Sequence, residues 1–128
     1  MTRPAYLEHA NVTVSDPKAT AAMLHDIFDW KTRWEGASKN AGYSVHVGSD
    51  TSYVALYTPP QTEAVETNSY TRVGGLNHLA VVVDRLDAVE AKVKAAGYET
   101  HSHADYEPGR RFYFHDRDGI EIEVVQYD

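Results

Sequence analysis

The chain has 128 residues, enough for one domain with a core of its own, and 19 acidic residues against 12 basic ones give a formal net charge of −7. This net negative charge does not identify a fold or a substrate, but it disfavours binding to nucleic acid and to anionic membrane surfaces. There is no cysteine, which excludes disulfides, thiolate metal sites and a cysteine nucleophile.

The stretch YLEHANVTV predicts the first β-strand. Because side chains alternate between the two faces of a strand, Ala10 and Val12 share one face while His9 and Asn11 share the other. The apolar face is suited to pack against a helix. The histidine therefore lies on the opposite face, where a site could form.

A helix of about three turns is predicted in SDPKATAAMLHDIFDW. Ser15 or Asp16 can cap it, and Pro17 suits its first turn. The spacing of small and apolar side chains makes one face that can pack on a sheet, formed by Thr20, Met23, Leu24, Ile27 and Phe28. A short strand around Lys31–Glu35 and a hairpin over residues 43–56 follow.

The second half repeats this plan. The strand LNHLAVVV places His78 opposite its helix-facing side chains, as His9 is placed in the first strand. The helix DRLDAVEAKVKAAG has Asp84 or Asp87 as its predicted cap and Gly97 as its end. A short strand around Tyr98–Ser102 is expected next.

The second hairpin, RFYFHDRDGIEIEV (residues 111–124), aligns with YSVHVGSDTSYVAL (residues 43–56) without a gap at an offset of 68. We therefore predict an α+β fold of two tandem βαβββ modules, residues 1–68 and 69–128, within a single domain of residues 1–128. Curved mixed sheets would enclose a cup-shaped site, with the helices outside. The proline-containing stretch TPPQTEAVETNSYT would connect the modules.

The last predicted strand adds a carboxylate to the face that carries the histidines. Glu121 and Glu123 alternate with Ile122 and Val124, so both point away from the helix. A carboxylate among apolar neighbours needs a partner. At the offset of 68 its counterpart in the first module is Ala55. For the two strand histidines, His9 and His78, two interpretations remain. They are either separate core residues or two side chains that meet in one site.

The duplicated βαβββ plan, the histidine in each first strand and the motif Asp-x-Asp-Gly-x-x-x-Glu from Asp116 to Glu123 resemble the vicinal oxygen chelate superfamily. This superfamily includes glyoxalase I, fosfomycin-resistance thiol transferases, extradiol dioxygenases, methylmalonyl-CoA epimerase and bleomycin-binding proteins. The resemblance extends from Tyr6 to Gln126. It implies the cup-shaped fold and a metal site more specifically than it implies a substrate.

The resemblance implies that His9, His78 and Glu123 bind one divalent metal ion, which could be Fe, Mn, Ni, Co or Zn. The fourth metal position of the superfamily falls on Ala55, which departs from the four-ligand pattern of glyoxalase I and the epimerases. Three ligands leave coordination positions open for two vicinal oxygens of a substrate, whose developing negative charge the ion would stabilise.

Five further residues are candidates for the site. By resemblance, Tyr113 would donate a hydrogen bond to a metal-bound oxygen, although a core aromatic would look the same in sequence. By strand alternation, Arg111 shares the face of Tyr113 and could hold a substrate carboxylate or phosphonate. Asn11 could orient a water or substrate oxygen. Tyr53 and Tyr57 would wall the space beside the position without a carboxylate.

The other histidines are given no metal role. His101 and His103 form an H-x-H pair that we expect to be an exposed strand or loop. His46 and His115 fall in the hairpins, and His25 falls on the first helix.

Two classes of function remain open. One is a metal-dependent enzyme of the superfamily, whose chemistry as a glyoxalase-like lyase or isomerase, a dioxygenase or a thiol transferase is not resolved. No histidine precedes His78 closely, which disfavours the dioxygenase pattern, and Ala55 disfavours the lyase pattern. The alternative is a non-catalytic binding protein that sequesters a small molecule, as bleomycin-resistance proteins do.

The expected partners are a small-molecule substrate and a second copy of the chain. Several relatives exchange modules, so His9 of one subunit could complete the site of the other in a homodimer. No apolar run approaches the ~18 residues that cross a bilayer, and no signal-peptide core is present. We therefore expect a cytoplasmic protein without membrane or nucleic-acid partners.

Overall fold

The structure is a computed structural model that describes residues 2–64 and 69–128. The chain divides into two compact units, Met1–Thr62 and Glu63–Asp128. The expected module boundary, between residues 68 and 69, falls at the edge of the stretch outside the described residues. None of the helices in the described ranges has the length and apolar character needed to cross a membrane.

The first unit is a βαβββ module with one mixed sheet. Its sheet has the order β1-β4-β3-β2, with β1 parallel to β4 and the other neighbours antiparallel. Its elements are β1 (His9–Thr13), α1 (Pro17–Phe28), β2 (Lys31–Ser38), a 3-10 turn (Lys39–Ala41), β3 (Gly42–Gly48) and β4 (Tyr53–Thr58).

The second unit has the same connectivity, so the predicted α+β fold with a duplicated βαβββ plan is confirmed. Its sheet has the order β5-β8-β7-β6, with β5 parallel to β8. Its elements are β5 (Leu79–Val82), α2 (Leu86–Ala95), β6 (His101–Tyr106), β7 (Gly109–His115) and β8 (Glu121–Tyr127).

Each helix packs on one face of its own sheet. The core of each unit lies between the helix and that face. The apolar side chains on that face are almost fully removed from water, which is the main stabilising contribution to each unit. In the first unit they include Leu24, Ile27, Val45, Val47 and Leu56, and in the second Leu86, Val93, Phe112, Phe114, Ile122 and Val124. The opposite face of each sheet carries the side chains predicted to form the site.

The two helices begin differently. The predicted cap of α1 is confirmed, because the Ala19 N–H donates to Asp16 Oδ1 at 3.1 Å. The predicted caps of α2, Asp84 and Asp87, are wrong. The backbone cap position is Arg85, and the first helical N–H, that of Leu86, donates to the side chain of Gln126 on β8 at 2.9 Å. A carboxamide from a distant strand thus satisfies the helix end.

The gap-free alignment of the two hairpins is also wrong. In the first hairpin His46 pairs with Ala55, and in the second Tyr113 pairs with Glu123. The second turn, residues 116–120, is one residue longer than the first, residues 49–52. The structural counterpart of Tyr113 is therefore His46 rather than Val45.

Strand β6 begins later than predicted. The expected strand covered Tyr98–Ser102, but β6 starts at His101. Tyr98 instead packs its ring against Phe114, with the ring centroids 5.7 Å apart. The pairing of β6 with β7 shifts register between His101 and Ala104, which ends the simple alternation assumed from the sequence.

Candidate metal centre

The strand pairing of the second unit places the predicted side chains on the face away from α2. Glu123 on β8 lies between Ala80 on β5 and Tyr113 on β7. His78 immediately precedes β5. The alternation argument therefore places Tyr113 and Glu123 together correctly.

His78 and Glu123 are in direct contact. The Nε2 atom of His78 lies 2.9 Å from Oε1 of Glu123, and its Nδ1 atom lies 2.6 Å from Oδ1 of Asn77. Glu123 is only 7% exposed. A neutral imidazole has one N–H. When Nδ1 donates it to Asn77, the lone pair of Nε2 faces a carboxylate oxygen.

This arrangement fits a divalent metal ion by the chemistry of its donor atoms. Two acceptor atoms that face each other at 2.9 Å repel unless a proton or a cation lies between them. An imidazole whose other nitrogen donates to an oxygen is the usual form of a metal-binding histidine. The pair His78–Glu123 is therefore a suitable half of a metal site.

The guanidinium group of Arg111 donates hydrogen bonds to other groups of the protein. Its Nη1 donates to Oε2 of Glu123 at 2.7 Å, and the side chain is 8% exposed. Its Nη2 donates to three backbone carbonyl oxygens at 3.1–3.3 Å, those of Tyr106, Glu107 and Gly109. These contacts fix the Glu123 carboxylate. They do not support the predicted substrate contact of Arg111, which stays a prediction.

Tyr113 lies beside both His78 and Glu123. Its ring meets the His78 ring edge-on, with the centroids 5.6 Å apart. Burial, followed by the charge of Glu123, raises the pKa of Tyr113 above its ordinary value of 10.0. The phenol therefore keeps its proton at neutral pH and is a hydrogen-bond donor.

His9 in the first unit is held in the same way as His78. Its Nδ1 lies 2.9 Å from Oε1 of Glu8, the preceding residue, as Nδ1 of His78 faces Asn77. The Tyr53 hydroxyl donates to the same Glu8 oxygen at 3.1 Å, and the His9 and Tyr53 rings stack at 4.8 Å. Nε2 is thus the nitrogen left for a metal in both predicted ligand histidines.

Aromatic side chains lie beside Ala55, the position at which the first module has no carboxylate. Ala55 is 1% exposed and pairs with Asn11 on one side and His46 on the other. The His46 ring stacks on Tyr53 at 4.7 Å and tilts against Trp34 at 5.0 Å. Burial lowers the pKa of His46 below its ordinary value of 6.5, which favours a neutral ring.

Tyr57, the second predicted wall residue, lies on β4 two residues beyond Ala55. Its hydroxyl donates to the backbone oxygen of Lys39 at 2.7 Å. Asn11 is exposed on β1, on the face that carries His9. These placements agree with the alternation argument, and the substrate roles of Tyr53, Tyr57 and Asn11 stay predictions.

A second cluster was missed in the sequence. One ligand atom from each of His101, His115 and Glu121 lies within 4.8 Å of the others. His101 and His115 were expected to have no metal role. His115 and Glu121 pair directly across the β7–β8 turn, which the hairpin pattern could have revealed. The addition of His101 depends on the register shift of β6, which no sequence pattern indicated.

Comparison with known proteins gives a consistent assignment of family. The sequence profile of the Glyoxalase/Bleomycin resistance protein/Dioxygenase superfamily matches residues 6–124. A comparison with curated proteins finds no match.

Several solved structures have the same fold. A glyoxylase/bleomycin resistance protein/dioxygenase domain from Frankia sp. EAN1pec is similar with a TM-score of 0.80 at 21% identity, covering 98% of this chain and 100% of that one. A mutant of the fosfomycin resistance protein FosX from Listeria monocytogenes, in a complex with Mn(II) and 1S,2S-dihydroxypropylphosphonic acid, gives a TM-score of 0.75 at 20% identity, covering 98% of this chain and 95% of that one. FosX from Mesorhizobium loti gives 0.71 at 22% identity over 94% and 90%.

These likenesses, at low identity, establish the shared fold, and the profile match covers nearly the whole chain. Together with the duplicated βαβββ units, they justify one conclusion about identity. The chain belongs to the Glyoxalase/Bleomycin resistance protein/Dioxygenase superfamily.

Proposed function

We propose that this protein is a divalent-metal-dependent enzyme whose metal ion is bound by His9, His78 and Glu123. The observation that carries the proposal is the contact of His78 Nε2 with Glu123 Oε1 at 2.9 Å, with Glu123 almost fully buried. A buried carboxylate that faces an imidazole lone pair is poised for a cation.

The two histidines support the proposal by their matching environments. In each, the side chain of the preceding residue engages Nδ1, through Glu8 for His9 and Asn77 for His78. Such contacts fix the tautomer and ring orientation of metal-binding histidines. A structural histidine has no reason to repeat this arrangement in both modules.

The chain's own residues have distinct proposed roles around the ion. When bound, the metal would supply positive charge that holds two vicinal oxygens of a substrate and stabilises negative charge on them. Arg111 holds the Glu123 carboxylate in place through Oε2, so that Oε1 stays directed at His78. Tyr113 donates a hydrogen bond to a substrate oxygen. Asn11, Tyr53 and Tyr57 line the substrate space.

The proposed substrate class is a small molecule with two adjacent oxygens. FosX from Listeria monocytogenes was found with Mn(II) and a dihydroxypropylphosphonic acid, which carries two neighbouring hydroxyl groups. A first substrate panel therefore contains fosfomycin with water or a thiol, a hemithioacetal and a catechol. These compounds separate hydrolase or thiol-transferase, glyoxalase-like and dioxygenase chemistry.

Metal analysis tests the proposal before any substrate is known. Protein purified without an affinity tag is reconstituted separately with Fe, Mn, Ni, Co and Zn, and bound metal is measured by plasma mass spectrometry. We expect His9→Ala and His78→Ala each to lose one equivalent that the unchanged chain binds. The control is His25→Ala, because His25 lies on α1 and bonds the backbone oxygen of Trp30.

The result also decides between the two classes of function. If neither His9→Ala nor His78→Ala changes the metal content for any ion, the proposed centre is wrong. The non-catalytic binding protein is then the better interpretation, and a binding assay with bleomycin-like ligands replaces the enzyme panel.

A further inference from the structure

A second group of metal-ligating side chains lies at one edge of the second sheet. His101 is the first residue of β6, His115 is the last residue of β7, and Glu121 is the first residue of β8. Three neighbouring strands thus each contribute one side chain at the same edge. One ligand atom from each residue lies within 4.8 Å of the others.

The two imidazoles of the group are in direct contact with each other. His101 Nε2 lies 3.1 Å from His115 Nδ1, and the rings stack with centroids 5.0 Å apart. His115 Nε2 lies 3.5 Å from Oε2 of Glu121. Ligand atoms of a tetrahedral zinc ion, with bonds of about 2.0–2.1 Å, are roughly 3.3 Å apart. The separation of the His101 and His115 nitrogens is close to this spacing, whereas the contact with Glu121 is made by the other nitrogen of His115.

The outer contacts of the group also suit metal binding. His101 Nδ1 lies 2.9 Å from the Ser102 hydroxyl, which leaves Nε2 directed at the cluster. The Tyr70 hydroxyl donates to the other oxygen of Glu121. Outer hydrogen bonds of this kind orient metal ligands.

The hairpin that carries two of the ligands is internally braced. Asp116 follows His115, and its Oδ1 accepts the backbone N–H groups of Asp118 and Ile120 at 2.9 and 3.0 Å. The adjacent Gly119 has a φ of +78°, which suits glycine in the turn. The spacing of His115 and Glu121 is therefore set before any ion binds.

From this geometry we infer that His101, His115 and Glu121 form a second divalent transition-metal site, separate from the one bound by His9, His78 and Glu123. Two imidazoles and one carboxylate select zinc, nickel or copper over magnesium and calcium. With three protein ligands and His115 half exposed, the ion keeps a position open to solvent.

The second site adjoins the proposed metal centre on the same sheet. The Tyr113 ring stacks against His101 at a centroid distance of 6.2 Å and meets His78 edge-on at 5.6 Å. An ion that fixes the His101 ring therefore also restricts Tyr113. The further site is thereby placed to adjust the phenol assigned to the proposed reaction.

The competing explanation is a chain of hydrogen bonds without metal. His101 can donate to His115, and His115 can donate to Glu121, so every nitrogen finds a partner. The contact at 3.5 Å between His115 and Glu121 is longer than an ordinary N–H···O bond. This explanation predicts no zinc affinity at all, so the two are separable by experiment.

The test is zinc binding in a chain whose first centre is broken. Isothermal titration of Zn²⁺ into His78→Ala measures the second site alone, and His78→Ala/His115→Gln removes one of its ligands. His115 is half exposed, so the glutamine variant is expected to fold. The matched control is His78→Ala/His103→Ala, because His103 bonds Glu90 and lies outside the cluster.

We expect His78→Ala and the His103 control to bind one equivalent of Zn²⁺ and to show a rising unfolding temperature with zinc concentration. The His115→Gln double variant should lose at least tenfold in affinity and show no such rise. Mg²⁺ should not substitute for zinc. If His78→Ala binds no zinc, or binds it equally well without His115, the second site does not exist.

The proposed function and the second site can fail independently. If the unchanged chain binds one ion that survives His78→Ala but not His115→Gln, the second site is real and the first centre is wrong. If one ion is lost in His78→Ala and none depends on His115, the reverse holds.

Discussion

At the scale of single residues, Glu123 has two oxygens with different partners. Oε1 faces His78 at 2.9 Å, and Oε2 accepts from Arg111 at 2.7 Å. Both charged side chains are less than 10% exposed. Arg111 therefore leaves one oxygen for a metal ion while it offsets the cost of burying the carboxylate.

Replacing Arg111 should lower the free energy of unfolding. In Arg111→Met the Glu123 carboxylate stays buried without its guanidinium, and we expect a loss of about 3 kcal/mol in the free energy of unfolding. Urea denaturation of the metal-free protein measures it. Arg110→Met is the control, because its pair with Asp87 is exposed and contributes under about 1 kcal/mol. Equal losses in the two variants would contradict the assignment.

Tyr113 should be separable from metal binding. In Tyr113→Phe the ring contacts with His78 can remain while the donor hydroxyl is lost. We expect turnover to fall about 10²-fold or more, as for the loss of one donor to developing negative charge. Metal content, measured by plasma mass spectrometry, should not change. Unchanged kinetics with any substrate from the panel would end the catalytic role of Tyr113.

At the scale of elements, strand register decides which side chains meet. The pairings Tyr113 with Glu123 and His115 with Glu121 follow from the β7–β8 turn. A shift of β8 by one residue would send Glu121 and Glu123 to the opposite face, away from His115 and Tyr113. The turn is held by Asp116, which accepts two backbone N–H groups through one oxygen.

Asp116 should make stability depend on pH. Its burial raises its pKa above the ordinary 3.8, and its backbone hydrogen bonds only partly oppose this. The native state therefore holds the proton to higher pH than the unfolded chain does. The contribution of Asp116 to stability is greatest below about pH 3.8 and is lost as pH rises through the raised pKa.

Asp116→Asn isolates this contribution, because the amide does not titrate but its oxygen can still accept the same hydrogen bonds. The unfolding free energy of the variant minus that of the unchanged chain should grow as pH rises from 3.8 and then level off. Urea titrations at several pH values measure it. A difference that falls or stays constant over this range would contradict the assignment.

At the scale of the whole molecule, the three predicted metal ligands belong to different units of the chain. His9 belongs to the first unit, whereas His78 and Glu123 belong to the second. Several members of the superfamily that the sequence resembles exchange modules between subunits. We therefore predict a homodimer, whose sites form either within one chain or, with exchanged modules, between two chains.

A mixing experiment tests shared sites. His9→Ala and Glu123→Ala each lack one ligand, and neither alone should bind the first-centre ion, measured in a His115→Gln background. With exchanged modules, co-refolding the two variants regenerates one complete site per heterodimer. Metal bound by the mixture but by neither variant supports exchange. If the mixture binds no more than the separate variants, each site forms within one chain.

The sequence by itself determined the features that depend on local periodicity. Alternation along strands placed His9 and Asn11 on one face and Tyr113 and Glu123 on another, because side-chain direction in a strand repeats every two residues. The repeat of the same pattern after the first hairpin predicted the duplicated βαβββ fold, which the structure and the family match confirm.

Only the tertiary structure decided which distant side chains meet. Gln126 accepts a hydrogen bond from the first backbone N–H of α2, and Arg111 donates one to Glu123. The His101 ring contacts the His115 ring. Each contact depends on the register of paired strands or on the packing of a helix against them. A one-residue difference in turn length or a bulge changes such a contact while the local pattern of the sequence stays the same.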